Sequence, residues 1–155
     1  ILTQANRVLS EDIGRERFVT LIMVQLNVDE RTLRYASAGH AACPWFDERG
    51  ELKRELLRTG IPLGMKNDTG YETSEVFSIE RGDLLALMTD GVEESLNPDL
   101  ELFGTERVHA LLRENRERTS ADLVEILHQE AWKHITDLDQ PDDYTTIIVK
   151  MTEKD

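Results

Sequence analysis

The first dozen residues, ILTQANRVLSED, repeat apolar positions at three-to-four spacing. Ile1, Leu2, Ala5, Val8 and Leu9 share one stripe, which predicts an amphipathic helix. The stripe reads first as core; the alternative is a surface that carries a signal or pairs with a second copy in a homodimer. The period then changes to two. FVTLIMVQLNV (18–28) predicts a strand apolar on both faces, DERT (29–32) turns the chain, and LRYASAG (33–39) returns as the second arm of a hairpin. ACPWFDERGELKREL repeats the form around DERG, and GYETSEVFSIERGD predicts a third alternating strand that closes on an Arg-Gly-Asp turn. LLALMTDG (84–91) is the most apolar of these runs and predicts the most buried strand. Helical periodicity follows. GTERVHALLRE puts Val108, Leu111 and Leu112 on one stripe, with Thr105 as its cap. TSADLVEILHQEAWKHI has Ser120 as cap and Leu123, Ile126, Leu127 and Trp132 as its apolar face. DLDQPDD is an acidic loop and YTTIIVKM a last strand. Strands, then helices, then a strand predict an α+β fold with antiparallel sheets.

Composition narrows the picture. At 155 residues the length suits one domain, and there is no repeat, low-complexity tract or internal linker. No apolar run approaches the ~18 residues of a membrane span, and the N-terminus has no basic-then-apolar leader. The single cysteine, Cys43, excludes an internal disulfide and fits the reducing cytoplasm, the expected location. The formal charge of −13 disfavours nucleic acid and anionic membranes as partners. It also disfavours phosphate esters unless a bound divalent cation reverses the local field.

Four short stretches carry candidate chemistry. Asp90 stands at the end of the most buried strand with Gly91 behind it, where glycine offers backbone freedom and lets a ligand approach; taken alone, Asp-Gly is a common turn. Asp142 and Asp143 follow Pro141 just before the last strand. Adjacent carboxylates repel, so a cation would steady them, and oxygen-only ligands suit Mg²⁺ or Mn²⁺ better than Zn²⁺; a solvated acidic loop is the plain alternative. An EF-hand does not fit, because Asp137, Asp139 and Asp142 lack the loop glycine and the closing glutamate. Gly39 and His40 end a strand, where a histidine serves as ligand, acid/base or packing. TGIPLGM (59–65) alone means a rigid turn. Phosphate loops, Rossmann glycines and zinc spacings are absent. Cys43, between Ala42 and Pro44, reads as a buried thiol, and neither Ser37 nor Ser95 sits in a hydrolase elbow.

Their order is more informative than any one of them. YASAGHAACPW, GIPLG, GDLLALMTDGVEES, ELFG and PDDYTTIIV, taken in sequence, resemble the SpoIIE-like branch of the PPM family, the metal-dependent protein phosphatases of type 2C. The resemblance runs from about Leu9 to the last strand. It implies an αββα sandwich of two antiparallel sheets flanked by helices, with a two-metal Mn²⁺ or Mg²⁺ centre that activates water for in-line attack on phosphorus. Asp90 and Asp142 match the family's catalytic metal ligands. Gly91 and Asp143 are their neighbours in the metal set, and Gly39 and His40 match a loop beside the metals, on the substrate side or behind the ligands.

One family element is missing. The upstream Asp-Gly motif, whose aspartate bridges both metals, has no counterpart in residues 1–20; Glu11 and Asp12 lie near a helix end in the wrong register. The chain therefore reads as a domain truncated at its N-terminus, C-terminal to a sensor or receiver domain in a longer bacterial protein. By this resemblance the parent is an active Ser/Thr phosphatase acting on a phosphorylated anti-anti-sigma-type protein in a partner-switching pathway. This chain alone is expected to be nearly inactive. The alternatives are a non-catalytic binding module with the same fold and a structural domain with fortuitous acidic turns.

Overall fold

The computed structural model describes residues 1–13, 17–135 and 143–152. In chain order its elements are α1 (Leu2–Asp12), β1 (Leu21–Asn27), β2 (Thr32–Ala38), β3 (Cys43–Phe46), β4 (Leu52–Leu56), β5 (Phe77–Ser78), β6 (Leu84–Met88), α2 (Thr105–Glu114), α3 (Ser120–Ile135) and β7 (Thr146–Lys150). They fall into two units, Ile1–Ala42 with Leu56–Glu80, and Cys43–Glu55 with Arg81–Asp155.

In the first unit, β1 and β2 form the expected antiparallel hairpin, paired from Leu21↔Ala38 to Asn27↔Thr32. Its turn places Arg31 in the left-handed region, and Asn27 accepts the Glu30 N–H through its side chain at 3.1 Å. The anticipated long third strand shrinks to β5, two residues paired with Thr32 and Leu33. The reason is local. Ser74 bonds Tyr35 through its hydroxyl (3.0 Å) as well as its N–H (2.7 Å), and the Tyr71 N–H goes to the Thr3 hydroxyl at 3.2 Å. With side chains taking ladder positions, residues 71–76 follow β2 without forming a strand.

Helix α1 packs Leu2 and, in part, Leu9 with Leu21, Ala36, Ala38, Leu63 and Tyr71. Two of the five residues of the expected stripe turn away from this core: Ile1 is 90% and Val8 52% exposed. The centre of the buried face is instead Asn6, fully buried. Its Nδ2 donates to the Lys66 and Asn67 carbonyls, both at 2.8 Å; its Oδ1 accepts from the Gly64 N–H at 2.8 Å and the Tyr71 hydroxyl at 3.4 Å. The segment facing α1 is a loop whose backbone groups have no ladder, so an amide satisfies what leucine could not.

In the second unit the strand order is β4-β3-β6-β7, which puts β6 at the interior of the sheet as its apolar pattern requires. β6 runs antiparallel to β7 from Leu84↔Lys150 to Met88↔Thr146, and to β3 through Trp45↔Leu85 and Phe46↔Leu84. Leu84, Ala86 and Met88 join a core with Val108 and Leu112 of α2 and Leu123, Leu127 and Ala131 of α3.

The helix ends differ from expectation. The N-cap of α2 is Gly104, with Thr105 already inside the helix. Thr119, not Ser120, caps α3: its hydroxyl accepts the Asp122 N–H at 3.1 Å while the Asp122 carboxylate accepts the Thr119 N–H at 3.2 Å, a reciprocal capping pair. The buried stripe of α3 is Leu123, Leu127, Ala131 and Ile135, so Trp132, one residue of rotation away, is 58% exposed rather than core. Residues 137–142 of the acidic loop lie outside the described residues. Among those described, no helix is long and apolar enough to cross a membrane.

The buried amide gives a direct stability test. Asn6→Ala strands an N–H and two carbonyls at once. Urea unfolding of this chain should show a loss of roughly 2–3 kcal/mol with an unchanged m-value.

Candidate metal centre

The register of β6 and β7 decides what meets beyond their ends. Past Met88↔Thr146, the Thr89 N–H donates to the Thr145 carbonyl at 3.0 Å, and the Thr145 N–H donates to the Thr89 hydroxyl at 3.1 Å. That hydroxyl also reaches the Asp143 carbonyl at 3.3 Å. The stretch Thr89-Asp90-Gly91 thus lies beside Asp143-Tyr144-Thr145. Asp90 opens a turn that is closed by the Glu94 N–H on its carbonyl at 2.8 Å. Asp90 and Asp143 are both exposed. The Asp90 carboxylate makes no hydrogen bond or ion pair with the described residues. Asp142 lies outside them.

Gly91 is needed for a different reason from the one its sequence suggests. Its φ is not in the left-handed region. A Cβ on it would lie 3.0 Å from the Asp143 carbonyl oxygen and 3.1 Å from the Tyr144 ring. Glycine here allows one loop to close onto the other.

Two residues without an obvious sequence signal complete the arrangement. Ser95 is buried; its hydroxyl lies 2.8 Å from the Gly91 carbonyl and 2.5 Å from the Tyr144 hydroxyl. Glu93 is half-buried, and burial pushes its carboxyl up. A hydrogen bond from Thr105 opposes the shift, while repulsion from Glu55, Asp90 and Glu94 adds to it. The negative potential here comes from oxygen donors alone, which is chemistry for a hard divalent cation. Among the described residues, however, no group of three or more His, Cys, Asp or Glu side chains is arranged to hold a metal ion. Cys43 is fully buried, and burial pushes its thiol up, with a backbone hydrogen bond at Met88 opposing and Glu93 adding.

Gly39 and His40 belong to the other unit. Gly39 has φ +70°, donates its N–H to the Gly60 carbonyl at 2.9 Å, and would place a Cβ 2.3 Å from the Pro62 ring. The AGH and GIPLG stretches are therefore one local structure, joined also by the Ala38↔Gly60 bridge. His40 is buried.

Two antiparallel sheets with helices, in this order, make the fold of the PP2C-type phosphatase domains. The SiaA-PP2C domain of Pseudomonas aeruginosa matches it with a TM-score of 0.72 at 20% identity, over 85% of this chain and 51% of that one. The phosphatase domain of SpoIIE from Bacillus subtilis, presoaked with Mn, matches with a TM-score of 0.69 at 17% identity, over 99% and 65%. The chain belongs to the SpoIIE family: the family model for stage II sporulation protein E matches residues 1–152. Among curated relatives, the phosphoserine phosphatase RsbU of Bacillus subtilis is 26% identical over 97% of this chain and 44% of its own length. The chain spans under half the length of the curated relatives it matches.

Two outcomes check this geometry. Gly91→Ala should lower stability by about 1–3 kcal/mol in thermal melts, because backbone must yield to the new methyl. Cys43 should resist thiol reagents at neutral pH in the native chain and react once urea unfolds it.

Proposed function

We propose that this chain is the greater part of a Ser/Thr phosphatase domain that uses Mn²⁺ or Mg²⁺. Its substrate is a phosphoserine or phosphothreonine on a regulatory protein, of the anti-anti-sigma type in a partner-switching pathway. The observation that carries the reading is the β6–β7 register, which stacks Thr89-Asp90-Gly91 against Asp143-Tyr144-Thr145 at the mouth of the sheet. Membership of the SpoIIE family and the phosphoserine phosphatase activity in the name of RsbU support the reaction class.

In this reading Asp90 and Asp142 hold the cations, with Gly91 and Asp143 beside them. When bound, the cations supply an activated water and charge neutralisation at the phosphoryl group. The chain's own part is to fix carboxylates on strand ends, where the ladder limits their motion. The missing upstream Asp-Gly motif is supplied by a preceding segment of a longer protein, where a sensor or receiver domain also lies. Carboxylates of this chain alone hold metal weakly, so it turns over little substrate. A second reading is a non-catalytic binding module in signalling with the same fold. The residue at the upstream Asp position of the longer protein separates the two: aspartate favours the enzyme.

The assay is hydrolysis of a phosphoserine peptide with Mn²⁺. A longer form that includes the upstream Asp-Gly motif should turn over, and Asp90→Asn should slow it on the order of 10²–10³-fold. The 155-residue chain should show almost no turnover. Turnover by the chain that Asp90→Asn abolishes would refute its inactivity, and an active Asp90→Asn form of the longer protein would refute the site.

A further inference from the structure

Between the Asp90 turn and α2 the chain folds into a finger that takes no part in the chemistry above. Its base is closed by the Phe103 N–H on the Ser95 carbonyl (2.7 Å) and the Gly104 N–H on the Glu93 carbonyl (2.9 Å). Leu96 and Leu102 stand opposite one another in a bridge. Asn97 donates its N–H to the Glu101 carbonyl at 3.0 Å, and Leu100 donates to the Asn97 carbonyl at 2.9 Å. The tip is thus the three-residue turn Pro98-Asp99-Leu100, whose last position is left-handed, with φ 61° at Leu100. That position suits glycine, because a Cβ there is strained. Leu100 occupies it nonetheless and is 75% exposed, with Leu96 39% and Leu102 54% exposed below it. An apolar side chain that is both strained and wet contributes nothing to the fold by being there.

We infer that the finger is a docking element for another protein, and that it takes a segment whose apolar side chains are flanked by Lys or Arg. The finger is stiff enough to present its tip. Asn97 Oδ1 accepts the Asp99 and Glu101 N–H groups at 3.0 and 2.8 Å, and Asn97 Nδ2 donates to the Glu101 carboxylate at 3.0 Å. His134 of α3 sets Nε2 2.9 Å from the Glu101 carbonyl oxygen, and Arg107 donates to the Leu102 carbonyl at 3.4 Å. Phe103, next along the chain, is buried in the core. The turn therefore cannot relax around Leu100 without breaking these bonds, and a partner meets a surface already ordered. Size and charge narrow the occupant. Three leucine side chains fall far short of the ~800 Å² per partner of a stable interface, so they suit a transient contact and not a permanent dimer. Asp99 and Glu101, on either side of Leu100, are exposed, and the chain carries a formal charge of −13. That field draws in a basic segment and repels an acidic one, a second copy included. The contact needs no cation, so it stands apart from the reading of Asp90.

The test is a titration of the 155-residue chain in EDTA, read from its amide resonances, a method that registers weak association. The probe is a lysine-rich peptide with leucine at every third position. Its control has serine for each leucine and the same charge. The leucine peptide should shift the amides from Leu96 to Phe103 and saturate, and the serine peptide should leave them in place. Leu100→Gly removes the apolar tip and the backbone strain together. It should bind the leucine peptide about tenfold more weakly. It should also melt about 2–4 °C higher, since glycine relieves the left-handed position. A leucine kept for stability would give the opposite sign, so a lower melting temperature overturns the inference. Equal shifts with both peptides, no shift with either, or unchanged affinity in Leu100→Gly overturn it as well. Two further outcomes assign the finger to a different occupant and refute the one proposed. If concentrating the chain alone shifts the same amides, the occupant is a second copy. If those amides are already shifted in a longer form and do not respond to the peptide, the occupant is that protein's own upstream segment.

Discussion

The antiparallel pairing of β6 with β7 is the constraint on which the rest of the second unit depends. It joins residues far apart in sequence, and its register alone decides that position 89 faces position 145. A slip by one residue would turn Leu84, Ala86 and Met88 away from the helices and send the apolar set to the other face. The core therefore fixes the register, and the register places the carboxylates. Helices α2 and α3 hold the Asp90 turn in place by packing on β6. Lys150 adds to this from β7, donating to the carbonyls of Arg116 and Arg118 in the turn between the helices, both at 2.6 Å.

Electrostatics works against this geometry. Asp90, Glu93 and Glu94 lie within one turn, and the Glu93 carboxyl is pushed up by burial first, then by repulsion from Glu55, Asp90 and Glu94. The fold offsets part of it with neutral donors. Thr105, in the first turn of α2, bonds the Glu93 carboxyl and opposes the shift. A carboxylate near a helix N-terminus is also favoured by the helix dipole. Asp90 has no such support, and its carboxylate stays exposed at the tip.

Much of this was legible in the sequence because turns and periods are local. DERT and DERG mark both hairpins, and the apolar run at 84–88 marks an interior strand. What was not legible depended on partners distant in the chain. Asn6 looks like a polar interruption of a stripe until the loop at 64–67 supplies three backbone groups, and Tyr71 a hydroxyl, to bond. Residues 71–76 alternate like a strand, but Ser74 and Thr3 divert the ladder. Trp132 looks like core by composition and is displaced by the phase set by Leu127 and Ala131. At the site, motif order put Asp90 forward as a candidate. Tyr144 and Ser95 were not, since nothing local marks a phenol and a hydroxyl 49 residues apart as partners. Gly91 was singled out correctly as special, yet for a backbone freedom it does not use.

These features make the site and the sheet one thermodynamic system. The Thr89–Thr145 bonds and the Tyr144–Ser95 hydroxyl pair hold the two strand ends together from inside, with Asp90 and Asp143 exposed at their tips. Anything that binds the closed arrangement and not the splayed one stabilises the β6–β7 pairing, and by linkage whatever stabilises the pairing tightens binding. The internal bonds limit how far the segments that carry Asp90 and Asp143 can separate.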